Sequence, residues 1–158
     1  MINTLVPLGV QRTNGVELTF AGEGAHLADL GRLCLPRWRD DHLACDRCGQ
    51  PVQGKRPTRT PRHSANLWVT KALGHSFGLG GGLNYVGARF ANPGNTVTLP
   101  GYTTVDAMAY FRLGAWHVQL KLNNLFDHRY MVAAHGSSPN LNLPGAPRSV
   151  QVVARCRF

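Results

Sequence analysis

Apolar and polar residues alternate one by one along several stretches of the second half of the chain. In residues 116–123 every second position is apolar and the positions between are polar or charged. The apolar members of this run are Trp116, Val118, Leu120 and Leu122. Because successive side chains of a strand point to opposite faces, the run predicts a β-strand with one apolar face and one polar face. Residues 150–158 repeat the pattern and end on an aromatic, Phe158.

Further runs with strand character are separated by turn-forming residues. These runs are 15–20, 67–73, 78–91 and 102–113. Clusters of glycine, proline and asparagine, such as NPGN at 92–95, interrupt them and are typical of turns. The glycine triplet at 80–82 argues against a helix there. The pattern therefore predicts an all-β protein with about six antiparallel strands.

Alternation alone leaves two architectures open. A soluble sandwich buries its apolar faces between two sheets, whereas a membrane barrel turns them toward lipid and keeps the polar faces in its lumen. The polar face favours the barrel, because arginine, lysine, glutamine, histidine and asparagine recur on it. Aromatic residues also fall near the strand ends, where rings rest at a membrane boundary. They are Trp68, Tyr85, Tyr102, Tyr110, Trp116 and Phe158.

Composition narrows the functional classes. The chain has 17 Lys and Arg against 8 Asp and Glu, a net charge of +9 that suits phosphates or an acidic membrane surface. No apolar stretch of about 18 residues is present, which excludes a membrane-spanning helix. The residues after Met1 lack the features of a secretory signal peptide. We find no nucleophile elbow, metal-binding histidine pair or phosphate loop, and we expect no enzymatic activity, catalytic residue or cofactor.

Cysteine spacing raises a first alternative, a small zinc-binding module. Cys34, Cys45 and Cys48 fall close to His42, and Cys45 and Cys48 form a C-x-x-C pair. Structural zinc sites normally bring two such pairs, and this chain has one. We therefore expect no metal site.

A basic run raises a second alternative, a nucleic-acid-binding protein. Lys55, Arg56, Arg59 and Arg62 follow one another with no acidic residue among them. Such cations could contact phosphates, although basic runs are usually solvated loops. Neither alternative explains the alternating strands, so we expect no nucleic-acid partner.

Five motifs from residue 61 onward resemble the closing strands of TonB-dependent outer-membrane receptors, in particular those for ferric siderophores. They are PRHSANLW at 61–68, GGLNYVGARF at 81–90, LPGYTTVD at 99–106, LNNLFDHRY at 122–130 and LPGAPRSV at 143–150. An earlier run, VQRTNGVELTF at 10–20, also resembles a strand of these receptors and precedes the others in the expected order. The resemblance covers about two thirds of the chain and implies a segment of a transmembrane β-barrel.

The resemblance also implies what the parent receptor does. It would bind a ferric siderophore at its outer face, use TonB as its energy-coupling partner, and form a plugged barrel of roughly 22 strands in outer-membrane lipid. Residues 91–100 and 133–147 would face outside, with no ligand-contacting residue assigned. Because the plug and roughly sixteen strands have no counterpart in this sequence, we expect a fragment that is inactive as a transporter alone.

The last residue receives a separate assignment from the same resemblance. The resemblance implies that a final strand ending on an aromatic residue is the signal that the barrel-assembly machinery recognises. Phe158 would supply that signal here. Cys156 stands where an aromatic is more usual, which would weaken it.

The resemblance fails in the middle of the chain. We divide the sequence into a strand region at 1–23, an irregular insert at 24–53 and the closing strands at 54–158. Where the receptors have a strand of the Gly-Tyr-Ala-Tyr-Leu-Asp kind, this chain has the cysteine-rich stretch. We hypothesise that 24–53 is translated one nucleotide out of register, since one set of synonymous codons for 31–38 spells that strand in the neighbouring frame.

Sequencing the gene across the codons for 24–54 and upstream of Met1 tests this hypothesis. We expect the neighbouring frame to encode the missing receptor strand, and receptor plug and barrel strands to be encoded upstream. A gene with no receptor-like sequence in the neighbouring frame or upstream would contradict it, and would return Cys34, Cys45 and Cys48 to consideration as ligands.

Overall fold

The structure is a computed structural model, and it describes residues 11–24, 27–40, 54–134 and 142–157. Within these ranges the regular structure is entirely β. The strands, in chain order, are β1 (Gln11–Gly24), β2 (Leu27–Asp40), β3 (Ser64–Ala72), β4 (Phe77–Val86), β5 (Arg89–Phe90), β6 (Thr98–Leu99), β7 (Tyr102–Leu113), β8 (Trp116–Asn123), β9 (Met131–Ala134), β10 (Asn142–Pro144) and β11 (Ser149–Cys156). No helix in the described ranges has the length and hydropathy needed to cross a bilayer.

Seven long strands form one antiparallel sheet in the order β1-β2-β3-β4-β7-β8-β11. Each long strand pairs with the next long strand in the chain, so the sheet is a meander. The short strands pair separately, β5 with β6 and β9 with β10. In the described part of the chain β1 and β11 are open edges, and the sheet is not closed into a barrel.

The register sorts side chains into two faces. One row across β4, β7, β8 and β11 is apolar and consists of Leu79, Ala109, Leu120 and Val152. The next row consists of Gly80, Met108, Lys121 and Gln151. The apolar row is exposed, with Leu120 at 44% and Val152 at 63%. A sandwich would bury these side chains under a second sheet, so the exposure favours the barrel wall over the sandwich.

Glycines on the polar face of β4 make room for large rings on its neighbours. A Cβ on Gly82 would overlap the Trp68 ring of β3, and a Cβ on Gly78 would overlap the Tyr110 ring of β7. Trp68 donates from Nε1 to Thr70 Oγ1 at 3.0 Å, and the Lys121 ammonium lies 5.4 Å from its ring centroid. The glycine-rich sequence of β4 is therefore explained by rings that lie flat across the strand.

The prediction of an irregular insert at 24–53 is wrong for Leu27–Asp40, because these residues form β2. Its backbone pairs with β1 on one side and with β3 on the other, and this ladder uses main-chain groups that every non-proline residue supplies. The sheet consequently has seven long strands where about six were predicted. Residues 41–53 lie outside the described residues, and the reading-frame hypothesis stays a hypothesis.

The side-chain pattern of β2 fits its place poorly. Leu30 pairs with Trp68, which belongs to the polar face, and Leu30 is 54% exposed. The alternation that predicts the other long strands is therefore interrupted at Leu30, whereas Arg32 and Leu33 follow the polar and the apolar face. This mismatch explains why a pattern-based reading passes over the strand.

One predicted strand, 78–91, is divided in the structure. β4 ends at Val86, and Gly87 donates its N–H to the His63 carbonyl at 2.9 Å. A Cβ at Gly87 would lie 2.9 Å from that same oxygen. The close backbone approach needs glycine and ends the long strand before β5 begins.

Substituting Gly82 with alanine tests the packing of rings on glycine. We expect Gly82→Ala to lower the free energy of unfolding by about 1–3 kcal/mol, because the new methyl group displaces Trp68. Urea unfolding in detergent micelles, followed by tryptophan fluorescence, measures the change. Gly81→Ala is the matched control, since the nearest atom to its Cβ is 3.8 Å away. Equal midpoints for the two variants would contradict the prediction.

Candidate functional site

The two ends of the sheet differ in the connections they carry. Short turns at 73–76 and 114–115 join strands at one end, and we call this the short-turn end. Long connections lie at the other end, and we define the loop cluster as the described residues 54–63, 87–101, 124–134 and 142–148. Binding residues concentrate in loops held by a rigid scaffold, so the loop cluster is the candidate functional site.

Arg89 holds two of the long connections together. It is only 4% exposed, and its Nη2 donates to the carbonyls of Met131 and Val132, both at 2.6 Å. Its guanidinium also lies 5.3 Å from the centroid of Tyr102, whose ring stacks on Tyr130 at 4.1 Å. A buried guanidinium is costly to desolvate, and the carbonyls and ring offset part of that cost. Among the described residues, Nη1 of Arg89 is buried without a hydrogen-bond partner.

A second set of contacts ties the basic run to the turn that follows β5. Asn95 accepts from Arg56 N–H at 2.7 Å and donates from Nδ2 to the Arg56 carbonyl at 2.9 Å. Asn95 has φ 57°, a left-handed conformation that asparagine tolerates better than most residues. Asn92 caps the same turn by accepting from the N–H groups of Thr96 and Val97. The turn is thus closed by side-chain amides.

Asn124 organises the turn after β8. Its Nδ2 donates to the carbonyls of His128 and Ala146, both at 3.0 Å, and its Oδ1 accepts from the His128 N–H at 2.9 Å. Its own N–H donates to Asp106 Oδ1 at 2.8 Å. Asn124 is 4% exposed and has φ 51°. Asparagine suits this position because it tolerates a left-handed backbone and its amide bonds to the nearby main chain. The contacts join β7, the turn and the approach to β11.

The buried apolar residues also lie in the loop cluster and not under the sheet. Among the described residues these are Ala91, Leu99 and Ala134, with Val97 packed against them. Elsewhere in the loop cluster the Tyr130 ring lies against Gly145, in the space that a Cβ there would occupy. The long connections are therefore a small folded unit on the end of the sheet.

Two of the four residues of the basic run are used inside this unit. Arg56 lies over Phe90, 5.3 Å from its centroid, and desolvation together with the charge of Arg62 lowers its pKa. Arg59 donates from Nη2 to the Ala134 carbonyl at 3.0 Å. These contacts account for the basic residues as parts of a loop.

The other predicted positions are divided between described and masked parts of the chain. Cys34 is half-buried in β2, while His42, Cys45 and Cys48 lie outside the described residues. The described ranges bring no three potential metal ligands together. Phe158 also lies outside them, and Cys156 pairs with Trp116 at the end of β11.

Arg89 and Asn124 belong to motifs of the family resemblance, but the sequence predicts a role for neither residue. A charged residue between Ala88 and Phe90, in an otherwise apolar run, was the available signal for Arg89. For Asn124, the sequence offers no signal beyond its position after a strand. The connections at 91–100 and 133–147 do lie at one end of the sheet, as far as they are described.

An amphipathic antiparallel meander with short turns at one end and folded connections at the other has the architecture of a transmembrane β-barrel wall. Residues 2–125 match the family described as TonB dependent receptor-like, beta-barrel, and the chain belongs to that family. This confirms the resemblance seen in the sequence motifs.

Individual relatives agree with the family. The ferrioxamine receptor of Yersinia enterocolitica is 35% identical over 112 residues, 66% of this chain and 16% of the relative. The ferrioxamine B receptor of Salmonella typhimurium is 33% identical over 140 residues, 83% of this chain and 19% of the relative. The crystal structure of the siderophore receptor PiuA from Acinetobacter baumannii superposes with a TM-score of 0.78 and 25% identity, covering 91% of this chain and 21% of that structure. The chain spans less than a fifth of the length of the two curated relatives.

Replacing Asn124 with alanine tests the turn after β8. We expect a loss of about 2–3 kcal/mol in the free energy of unfolding, because two carbonyls and one N–H lose their partner and alanine disfavours positive φ. Asn123→Ala is the matched control, since Asn123 makes one 3.4 Å contact with Ser149. Urea unfolding of both variants measures the difference. A loss below 1 kcal/mol at Asn124, or an equal loss at both sites, would contradict the assigned role.

Proposed function

We propose that this chain is part of a TonB-dependent outer-membrane receptor that takes up ferric siderophores. The observation that carries the proposal is the pairing of a lipid-type apolar face with a folded loop cluster in a chain of this family. Transmembrane barrels carry their long loops on the outside, so the loop cluster would face the medium. It would then be the part of this chain nearest to an arriving ligand.

Ferrioxamine is the siderophore class we propose. Two curated relatives carry that name, and both are at least 33% identical to this chain. The loop cluster is held by Arg89, Asn95 and Asn124 through hydrogen bonds to the main chain, which keeps its connections in place before a ligand arrives. A site that is already ordered loses less conformational entropy on binding than a flexible site does.

Transport would need partners outside the described residues. We propose TonB as the energy-coupling partner, outer-membrane lipid around the apolar face, and the barrel-assembly machinery as the reader of Phe158. The exposed leucines and valines of the apolar row support the lipid contact.

The 158 residues alone would not transport. β1 and β11 are open edges of the described sheet, and each unpaired backbone group in hydrocarbon costs several kcal/mol. A sheet with two such edges does not enclose a pore. The chain would therefore act only when its edges are paired with further receptor strands.

A chimera tests the proposal. Residues 64–158 would replace the corresponding closing strands of the Yersinia enterocolitica ferrioxamine receptor, in a strain that lacks its own receptor. We expect the chimera to reach the surface and to restore growth on ferrioxamine under iron limitation, and the 158-residue chain alone to give none. The same chimera with Asn124→Ala, Arg89→Ala or both is the internal control and should lose growth in step with loop-cluster stability.

Three outcomes would contradict the proposal. A chimera that fails to assemble shows that 64–158 does not form a closing wall. A chimera that assembles but gives no growth on ferrioxamine or on other ferric siderophores shows that the loop cluster does not serve uptake. Growth supported by the isolated chain shows that it acts without further strands.

A further inference from the structure

Cationic side chains gather on the polar face at the short-turn end. Arg112 of β7 pairs with His117 of β8, which pairs with Arg155 of β11, so the three lie in one row across three strands. Arg157 follows two residues later on the same face. With Trp116, these residues line an open cavity of 610 Å³ beside the 114–115 turn. We call Arg112, His117, Arg155 and Arg157 the basic row.

Among the described residues, no side-chain carboxylate forms an ion pair with the basic row. From residue 107 onward the sequence contains one acid, Asp127, and it accepts from the Arg148 N–H at the other end of the sheet. Asp106, the acid of β7, accepts from Asn124 at that same far end. In the described ranges the single ion pair joins Arg32 and Glu17, on β2 and β1.

The next acid on this face at the short-turn end is also distant. Glu23 lies on β1, four strands from β7 in the sheet order. At about 4.8 Å per strand the separation is roughly 19 Å, twice the Debye length of about 8–10 Å in physiological salt. A group that balances the charge of the basic row would therefore come from outside this sheet.

A ring beside Arg112 and a main-chain hydrogen bond of Arg157 support the basic row without using the guanidinium donors. The Arg112 guanidinium lies 5.4 Å from the Tyr110 centroid, and His117 lies 5.8 Å from the same ring. Arg157 N–H donates to the Ala115 carbonyl at 3.0 Å, which fixes the strand end against the turn. Arg112, Arg155 and Arg157 are exposed, so their guanidinium forks can take carboxylates two oxygens at a time.

We propose that the basic row is a docking site for an acidic polypeptide segment on the polar side of the sheet. The face decides the chemistry of the occupant. Lipid headgroups contact the outward, apolar face, whereas the basic row shares its face with Lys121 and Gln119. Arg112 and Arg155 are two strands apart, about 10 Å, and an extended peptide presents same-side residues every ~7 Å, so acids at alternate positions reach both.

Fluorescence anisotropy with a labelled peptide tests the proposal on the full chain in neutral detergent micelles. The probe is (Glu-Thr)5, which presents its carboxylates on one side when extended, and (Gln-Thr)5 is its uncharged match. We expect the chain to bind the first and not the second, with affinity that falls as salt rises. The double variant Arg112→Gln, Arg155→Gln should weaken binding on the order of tenfold.

Lys71→Gln is the matched control. Lys71 is also exposed near the short-turn end, but it pairs with Leu79 on the apolar face, so its loss should leave binding unchanged. Equal weakening by Lys71→Gln and by the double variant would show a general charge effect and overturn the proposal. Absence of binding to (Glu-Thr)5 would overturn it as well.

Anionic lipid is the alternative ligand for the basic row, and a separate binding experiment tests it. Vesicles of phosphatidylglycerol and phosphatidylcholine are titrated against the same variants. Binding to these vesicles that depends on Arg112 and Arg155, without binding of (Glu-Thr)5, would reassign the basic row to the membrane surface. The result is separate from siderophore uptake, because the probe contains neither iron nor siderophore.

Discussion

Main-chain hydrogen bonding between neighbouring strands is the constraint on which the rest of this structure depends. A strand that faces lipid must satisfy its N–H and C=O groups through its neighbours, because hydrocarbon offers no substitute. The unbroken antiparallel ladder from β1 to β11 meets that need without a buried core. Side chains are then free to sort by face, apolar residues outward and polar residues inward. The open edges of β1 and β11 mark where the same need must be met by further strands.

The ladder also explains which parts of the fold could be predicted from the sequence. β8 alternates strictly and β11 alternates except at Val153, because one face of the sheet is apolar and the other is polar. β2 could not be predicted in the same way. Its backbone completes the ladder between β1 and β3, whereas Leu30, opposite Trp68, interrupts the alternation of its side chains. A segment can therefore be held as a strand by its neighbours even when its own pattern does not indicate one.

The loop cluster was predicted only in position. Its motifs are local in sequence, but its stabilising contacts are not: Arg89 reaches carbonyls 42 and 43 residues away, and Arg59 reaches one 75 residues away. Periodicity carries no information about such contacts, because they join irregular backbone to single side chains. Asn124 shows the same limit, since its role depends on Ala146, which lies 22 residues further along the chain. Residues in turns thus acquire their function from partners that only the folded chain brings near.

The two ends of the sheet differ in how the hydrogen-bond donors of their polar side chains are used. At the loop cluster, amides and guanidinium groups donate inward to main-chain carbonyls, so these donors are used within the chain. At the short-turn end the arginines contact rings or solvent, and their donors remain available. Exposed charges of one sign cost little in water, but they repel one another more strongly where a lumen lowers the dielectric constant. Enclosure of this sheet in a barrel would therefore favour an acidic neighbour beside the basic row, whereas Arg89 of the loop cluster already has main-chain carbonyls and an aromatic ring beside it.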